Sequence, residues 1–154
     1  MSRVLGIDPG ISGAVVLLEG EQPIEWNLMP SIKVGKASRV DAAALARFVR
    51  ASGAEHAVVE LVGAMHGQGG VSMFTFGHAA GAVAGVLAAL EVPVTLVTPQ
   101  RWKKAAGLIG TDKDAARSRA IHLWPAWADL AVKGKGQALA DAALIARYGR
   151  EVGA

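Results

Sequence analysis

The segment Arg3–Glu19, RVLGIDPGISGAVVLLE, decides the fold class. Its first apolar run, over residues 3–8, ends in Asp8 and is followed by a Pro-Gly turn, which is typical of a short buried strand. A second apolar run, AVVLLE, follows over residues 14–19. Because the turn between the runs is short, the two strands should pair antiparallel. We therefore expect a buried hairpin whose first strand carries a carboxylate at its end.

The chain continues as an alternation of strands and helices. Apolar or alternating runs predict further strands over residues 23–29, 56–61 and 93–97. Helices are expected between and after these strands, the last over about residues 137–148, with loops over residues 30–38 and 133–136. This order implies an α/β fold in which a five-stranded mixed sheet, an antiparallel meander joined to parallel strands, is flanked by helices.

Length and composition narrow the class of protein. The 154 residues suit a single domain over 1–154, long enough to bury a core without a disulfide or a structural metal. The sequence has no cysteine, which excludes thiol nucleophiles, disulfide frameworks, iron–sulfur clusters and Cys-based zinc sites. The absence of cysteine fits a reducing compartment, and we expect a cytoplasmic protein.

The formal net charge of +3 is unevenly distributed along the chain. Residues 1–100 carry 6 basic and 8 acidic side chains, whereas residues 101–154 carry 10 basic and 5 acidic side chains. Such an asymmetry favours a polyanionic partner for the last third of the chain. A basic face that contacts only solvent is the alternative at this point.

A second unusual feature is the absence of charged side chains over residues 61–90. The apolar segment Val71–Leu90 is long enough to cross a bilayer. It contains Ser72, Thr75 and His78, draws on alanine more than leucine, and the N-terminal residues do not resemble a signal peptide. We therefore expect a buried helix and no membrane partner.

Three acidic residues lie in apolar surroundings. Asp8 and Glu60 end apolar strands, and Asp141 lies in the apolar helix ALADAALIA. A charged group in such surroundings costs several kcal/mol unless it is paired or bound to a cation. The strand ends lie where ligand sites form in open α/β sheets. Asp141 shares a helix face with Leu144 and Ile145, which should point at the same sheet.

These three carboxylates predict a site for a hard cation, Mg²⁺ or Mn²⁺, because such ions prefer oxygen ligands. A pair of such ions could ready a water molecule and stabilise charge during phosphodiester hydrolysis. The alternative is that each acid is a separate cap, turn or ion-pair residue, as the Asp8-Pro9-Gly10 turn would allow.

At these residues the chain resembles the RuvC-type Holliday junction resolvases, and most of all the short RuvC-like proteins of phages and prophages. The resemblance is carried, in order along the chain, by GIDPGISGAVVL (6–17), AVVELVGAMHGQGGVSMFTFG (57–77), VPVTLVTPQRWKKAAGL (92–108) and GQALADAALIARYG (136–149). It implies a ribonuclease H-like fold and a homodimer that uses Mg²⁺ to nick opposed strands of four-way DNA junctions. It also implies that Asp8 bridges the metal ions and that Glu60 and Asp141 are further ligands.

The sequence departs from this family at one ligand. Family members usually carry an acid or a histidine one turn before the last carboxylate, where this chain has Gln137 and Ala138. Gln137 could hold a metal through its amide oxygen, whereas Ala138 has no ligand atom. The departure motivates an alternative function, a protein that binds junctions or other branched DNA with weak or no nuclease activity. An actin-like nucleotide binder also uses a GIDxG turn, but it needs two related halves and a far longer chain.

Basic residues of the last third are candidates for contacts with DNA phosphates, which give affinity without sequence choice. They are Arg101, Lys103, Lys104, Lys113, Arg117, Arg119, Lys133 and Lys135. The glycine-rich loop at Gln68 and Gly69 allows a close approach to a DNA strand. Met73 or Phe74 could wedge into an opened junction, unless these side chains pack in the core. Trp102 is expected to pack in the core rather than on a base.

Gly77, Gly81 and Gly85 recur at every fourth position of the charge-free helix. Small residues at this spacing let two helix backbones approach closely, which suits an interface between two copies related by a two-fold axis. The resemblance also implies a dimer helix here. Packing of this helix against the sheet of its own chain is the alternative.

Overall fold

A computed structural model describes residues 1–63 and 66–153. The strands in these ranges are β1 (Arg3–Asp8), β2 (Ala14–Glu19), β3 (Gln22–Leu28), β4 (Ser31–Val34), β5 (Ala37–Val40), β6 (His56–Glu60) and β7 (Val94–Val97). The helices are α1 (Ala42–Ser52), α2 (Gly70–Ala89), α3 (Pro99–Ala105), α4 (Ala115–Leu123) and α5 (Lys133–Glu151), with a 3-10 turn over Ala128–Ala131.

Five of the strands form one mixed sheet in the order β3-β2-β1-β6-β7. The strands β1, β2 and β3 are an antiparallel meander, whereas β6 runs parallel to β1 and β7 runs parallel to β6. This confirms the predicted five-stranded mixed sheet flanked by helices. Ile7 pairs with Val59, so Asp8 and Glu60 occupy the next positions at the same edge of the sheet.

Helices cover the two faces of the sheet in separate layers. Strand β1 alternates between them, since Val4 packs with residues of α3, α4 and α5, and Leu5 packs with residues of α1 and α2. Helix α1 begins at its cap Asp41, whose side chain accepts a hydrogen bond from the Ala44 backbone N–H at 3.1 Å. Its last residue is Ser52, and it is capped by Gly53, which has a φ of 64°.

Helix α5 lies unusually close to the sheet. A Cβ atom at Gly6 of β1 would collide with the backbone carbonyl of Ala142, and a Cβ atom at Gly149 would collide with Val58 of β6. Glycine at position 6 therefore allows the backbones of β1 and α5 to approach each other, and glycine at position 149 allows α5 to approach β6. The close approach brings the residues before Ala142 to the edge of the sheet where β1 ends.

Two predicted loops are regular structure. Residues 30–38 contribute to the β4–β5 hairpin, whose turn is formed by Gly35 at a φ of 64°. Residues 133–136 are the first turn of α5 rather than a loop, because Gly136 packs directly against the Leu130 carbonyl and continues the helix from the 3-10 turn. Gly136 therefore does not interrupt the helix but allows a close contact with the Leu130 carbonyl.

Helix α2 is less buried than predicted. Its buried residues are Ala79, Val83, Val86 and Leu87, which form one stripe against the sheet, while most of the helix is exposed. The expectation of a buried helix is therefore wrong for the single chain, because the described residues that pack against α2, from the sheet, α1 and β5, cover only one side of it. Among the described residues, α2 is the one helix long and apolar enough to cross a membrane by length and composition.

Candidate metal centre

Three carboxylates converge on the α5 face of the sheet, where β1 and β6 end. Because side chains alternate along a strand, Asp8 lies on the same face as Val4, and Glu60 lies on the same face as Val58, which both pack towards α5. Asp141 of α5 lies close enough to both acids for their charges to raise its pKa. The structure therefore brings together the three acids singled out in the sequence.

Asp141 is the most perturbed of these acids. Burial raises its pKa, and the negative charges of Asp8 and Glu60 raise it further, to about 7. The positive charge of Lys103 acts in the opposite direction. Near neutral pH a proton thus competes with any cation for this carboxylate.

Asp8 and Glu60 each accept a hydrogen bond from the chain itself. The Gly10 backbone N–H donates to Asp8 Oδ1 at 3.3 Å, which is the turn chemistry considered for this motif. The Trp102 indole N–H donates to Glu60 Oε2 at 2.6 Å. Burial raises the pKa of both carboxyls, and these hydrogen bonds together with Lys103 oppose the shift.

The three carboxylates supply the type of oxygen ligand that a hard divalent cation prefers. These carboxylates are partly buried. The positive charge of Lys103 lowers the pKa of each of them and so opposes the effect of burial. Within residues 1–63 and 66–153, however, no three His, Asp or Glu side chains lie close enough together to enclose one ion. Asp8, Glu60 and Asp141 are the residues that would hold a cation, and two of them are hydrogen-bonded to the chain itself.

A cavity of 460 Å³ opens beside Asp141 and is lined by Lys103, Lys113 and Gln137 among others. The Gln137 side-chain amide lies one turn before Asp141, as expected for the fourth ligand position. Its Nε2 donates to Asp114 Oδ1 at 3.2 Å, so the amide oxygen is the atom left for a ligand. Gln137 thus lies beside the carboxylates and is oriented by a fourth acid outside their group.

The predicted DNA-contacting residues divide into exposed and internally bonded side chains. Arg101, Lys103, Lys104, Lys113 and Lys133 are exposed. Lys135 forms an ion pair with Asp129 at 3.3 Å. Arg117 pairs with Asp114 at 2.7 Å and also donates to the Leu130 carbonyl, which joins α4 to the 3-10 turn. Arg117 and Arg119 are half-buried, so of the eight candidates these two have the least surface to offer a phosphate.

The start of α2 flanks the carboxylates. A cavity of 330 Å³ lies between the Asp8–Gly13 turn and α2, with Asp8 and Phe76 among its lining residues. Met73 is 39% exposed and Phe74 is 62% exposed, so neither packs in the core. The exposed Gly69 precedes the helix, and Gln68 donates to the Ser72 hydroxyl at 3.1 Å.

The glycine stripe of α2 faces open space. No heavy atom lies within 4 Å of a Cβ built at Gly77, Gly81 or Gly85. Packing against the sheet of the same chain therefore does not require these glycines. Gly81 also lines an apolar groove of 650 Å³ between α2 and the edge strand β7, together with Leu96, which is 58% exposed.

Two contacts of the site could not be read from the sequence. Trp102 is 1% exposed, which confirms that it packs in the core, but its hydrogen bond to Glu60 joins residues 42 positions apart. The Arg39 guanidinium of β5 lies 5.3 Å from the centre of the Phe74 ring. The one available signal was chemical, since a buried indole N–H needs an acceptor.

Solved structures with a similar architecture include two of RuvC. A structure of T. thermophilus RuvC in complex with Holliday junction substrate has a TM-score of 0.64 and 21% identity, and the match covers 98% of this chain and 96% of that chain. A Thermus thermophilus RuvC structure has a TM-score of 0.61 and 19% identity over the same shares of the two chains. No protein-family model and no curated protein matches the sequence. The chain therefore has the ribonuclease H-like fold of RuvC, in agreement with the resemblance drawn from its motifs.

Proposed function

We propose that this chain is a structure-selective DNA endonuclease that uses Mg²⁺ or Mn²⁺ to hydrolyse phosphodiester bonds in four-way junctions. One observation carries the proposal: Asp8, Glu60 and Asp141 converge at one edge of a RuvC fold and are electrostatically coupled there. The solved T. thermophilus RuvC complex contains a Holliday junction substrate, which supports branched DNA as the substrate class for this chain.

The chain's own residues divide the work of such a reaction. Asp8, Glu60 and Asp141 would hold the metal, and a second ion would require the amide oxygen of Gln137 as a further ligand. When bound, divalent cations would supply a Lewis acid that activates water and offsets charge on the phosphate. The positive charge of Lys103 lowers the pKa of all three acids. The same side chain would orient the phosphate beside them.

Exposed basic residues around the carboxylates support a DNA path across this face. Arg101 and Lys104 lie on the same short helix as Lys103, and Lys113 lines the cavity beside Asp141. Such side chains bind phosphates without reading sequence, which suits an enzyme selective for DNA shape. Met73 and Phe74 are exposed near the start of α2, where Ser72 and Phe76 line the cavity at the Asp8–Gly13 turn. They would then meet the bases at the junction centre.

The proposal includes a homodimer formed through α2. The exposed face of this helix carries Gly77, Gly81 and Gly85, beside the apolar groove that ends at the exposed Leu96 of β7. Contiguous apolar surface of this kind is uncommon on a monomer and marks an interaction site. A two-fold pair through α2 would give one molecule two carboxylate sites, as paired nicks in opposed strands require.

A cleavage assay on synthetic DNA tests the proposal. Purified protein with Mg²⁺ or Mn²⁺ should cut a four-way junction in preference to a fork or a linear duplex. Asp8→Asn should abolish cutting and keep junction binding, because the substitution removes a ligand charge without changing the side chain's size. Intact junction after long incubation in both metals would overturn the nuclease proposal.

Gln137 favours one alternative, a junction-binding protein with weak or no nuclease activity. The position where the family carries an acid or histidine holds a neutral amide that donates to Asp114. Tight, metal-independent binding of the junction without product would support this alternative. An increase in cutting on Gln137→Asp would then trace the weak activity to this one position.

A further inference from the structure

Trp102 lies in the buried core next to Glu60 and is not itself one of the proposed metal ligands. Its indole is 1% exposed and belongs to the apolar cluster between α5 and the sheet, so it does not reach DNA or solvent. Its N–H donates to Glu60 Oε2 at 2.6 Å, a short hydrogen bond between neutral donor and carboxylate acceptor. Trp102 therefore contacts the Glu60 carboxylate through its indole N–H.

Hydrogen bonds around the start of α3 position the helix that carries this indole. Helix α3 begins directly after β7, where Thr98 caps it by accepting a hydrogen bond from the Arg101 backbone N–H and Pro99 occupies its first turn. The Leu61 backbone N–H donates to the Val97 carbonyl at 2.7 Å, which ties the residue after Glu60 to the strand that leads into α3. The acceptor Glu60 ends β6, and the donor Trp102 lies in α3, the helix that follows the neighbouring strand β7.

The chemistry of the donor suits a carboxylate that must bind a cation. An indole N–H can only donate a hydrogen bond and carries no charge at any pH. A lysine or arginine at this place would neutralise Glu60 and compete with the metal, whereas the indole orients the carboxylate and leaves its negative charge available. Outer hydrogen bonds of this kind fix the direction of metal-binding side chains, and their loss commonly weakens metal binding by about 10- to 100-fold.

We propose that Trp102 is a positioning residue that aims the Glu60 carboxylate at the metal through the indole N–H. The inference rests on the proposed function, since it assumes that Glu60 is a metal ligand. It predicts an effect on metal affinity and turnover but none on the binding of DNA, because Trp102 has no surface to offer a substrate.

Trp102→Phe tests the inference against Trp124→Phe as a matched control. Trp124 is also buried, at 5% exposed, and its N–H also donates a hydrogen bond, but to the Glu21 carbonyl, away from the acids. Mn²⁺ binding to the DNA-free protein is measured by calorimetry, and kcat, KM and junction Kd are measured by cleavage and binding assays. We expect Trp102→Phe to raise the Mn²⁺ Kd about tenfold or more and to lower kcat, with KM and junction Kd unchanged. Trp124→Phe should leave all four quantities unchanged.

A second variant separates the hydrogen bond from packing, in case Trp102→Phe folds poorly. Replacement of Trp102 by 3-benzothienylalanine keeps the shape of the indole and removes only the N–H. The same loss of Mn²⁺ affinity in this variant would support the inference, and wild-type affinity would overturn it. If wild-type protein binds no Mn²⁺, the proposed function itself fails. If wild-type protein binds Mn²⁺ and cuts while both Trp102 variants match it, the positioning role alone fails.

Discussion

At the scale of single residues, the burial of Asp141 near two other acids destabilises the folded chain when this carboxyl is ionised. Burial and the charges of Asp8 and Glu60 raise its pKa from 3.8 to about 7. In the unfolded chain the same group would ionise near its ordinary value, so the folded protein binds this proton more tightly. Stability from this group is therefore full at acid pH and is lost as pH rises towards 7. Without a cation, the full free-energy cost of ionising Asp141 in the folded state destabilises the protein above that pH.

Asp141→Asn should therefore stabilise the metal-free protein at pH 8 and not at pH 4. The shift corresponds to roughly 2–4 kcal/mol after allowance for coupling among the acids, or a Tm increase of roughly 5–10 °C. Thermal melts in EDTA at both pH values measure this. Mg²⁺ should raise the Tm of wild-type protein much more than the Tm of the variant, because the cation offsets a negative charge that the variant lacks.

Asp129→Asn is the control of opposite sign for that experiment. Asp129 accepts a hydrogen bond from the Trp26 indole at 2.7 Å and pairs with Lys135, and these contacts lower its pKa. Its substitution should lower the Tm at pH 8. Equal melting temperatures for wild-type protein and Asp141→Asn at pH 8 in EDTA would contradict the electrostatic account of the site.

At the scale of elements, the contact between β1 and α5 sets the distance between two of the acids. Gly6 lies two residues before Asp8, and the Ala142 carbonyl that it faces lies next to Asp141. The backbones touch at this point because Gly6 has no side chain. The separation of Asp8 and Asp141 is thus fixed by a backbone contact rather than by the acids themselves, whose charges repel each other.

Gly6→Ala should destabilise the protein and damage the site. The added methyl group has no space beside the Ala142 carbonyl, so β1 and α5 must move apart at a cost of about 1–3 kcal/mol or more. Thermal unfolding measures the loss of stability, and cleavage under conditions where the variant remains folded measures the loss of activity. Gly134→Ala on exposed α5 surface is the control, and its Tm should be unchanged or slightly higher. Wild-type stability of Gly6→Ala would contradict the proposed contact.

At the scale of the whole molecule, two surfaces lie next to the acids. Basic side chains of α3 and the cavity beside Asp141 form one, and the uncharged face of α2 forms the other. The formal charge of +3 conceals this division, because three of the 13 acids are gathered at the site between the two surfaces. We interpret the first surface as the DNA side and the second as the side of a second copy.

Gly81→Leu should convert the proposed dimer to a monomer. The side chain enters open space in the single chain, and leucine favours a helix more than glycine does, so the monomer should fold normally. Size-exclusion chromatography with light scattering measures the mass. On a supercoiled plasmid with an extruded four-way junction, wild-type protein should give linear DNA, whereas the variant should give nicked circles.

Ala43→Leu on the exposed surface of α1 is the control for an added apolar side chain. It should remain dimeric and should produce linear DNA like the wild type. A monomeric wild type, or a Gly81→Leu variant that stays dimeric, would contradict an interface through the glycine stripe. The nuclease proposal would remain open to its own test in either case.

Much of the fold and the acids of the site follow from local patterns in the sequence. The apolar runs of β1, β2 and β6 predict buried strands, and alternation along a strand places Asp8 and Glu60 on one face of the sheet. The helical period places Asp141 on the face of α5 that packs against that sheet. These features are predictable because they depend on neighbouring residues and on the geometry of one element.

Packing between distant segments decided the rest. The bond from Trp102 to Glu60, the attachment of Gln137 to Asp114 and the exposure of α2 each depend on where separate elements come to lie. Two predicted loops were also wrong, since residues 30–38 contribute to the β4–β5 hairpin and residues 133–136 are the first turn of α5. The sequence by itself determined which residues could form strands, helices and a cation site. Only the tertiary structure decided the distances between these residues. The period of a helix or strand specifies the side of that element on which a side chain lies, but not which residue of another element lies opposite it.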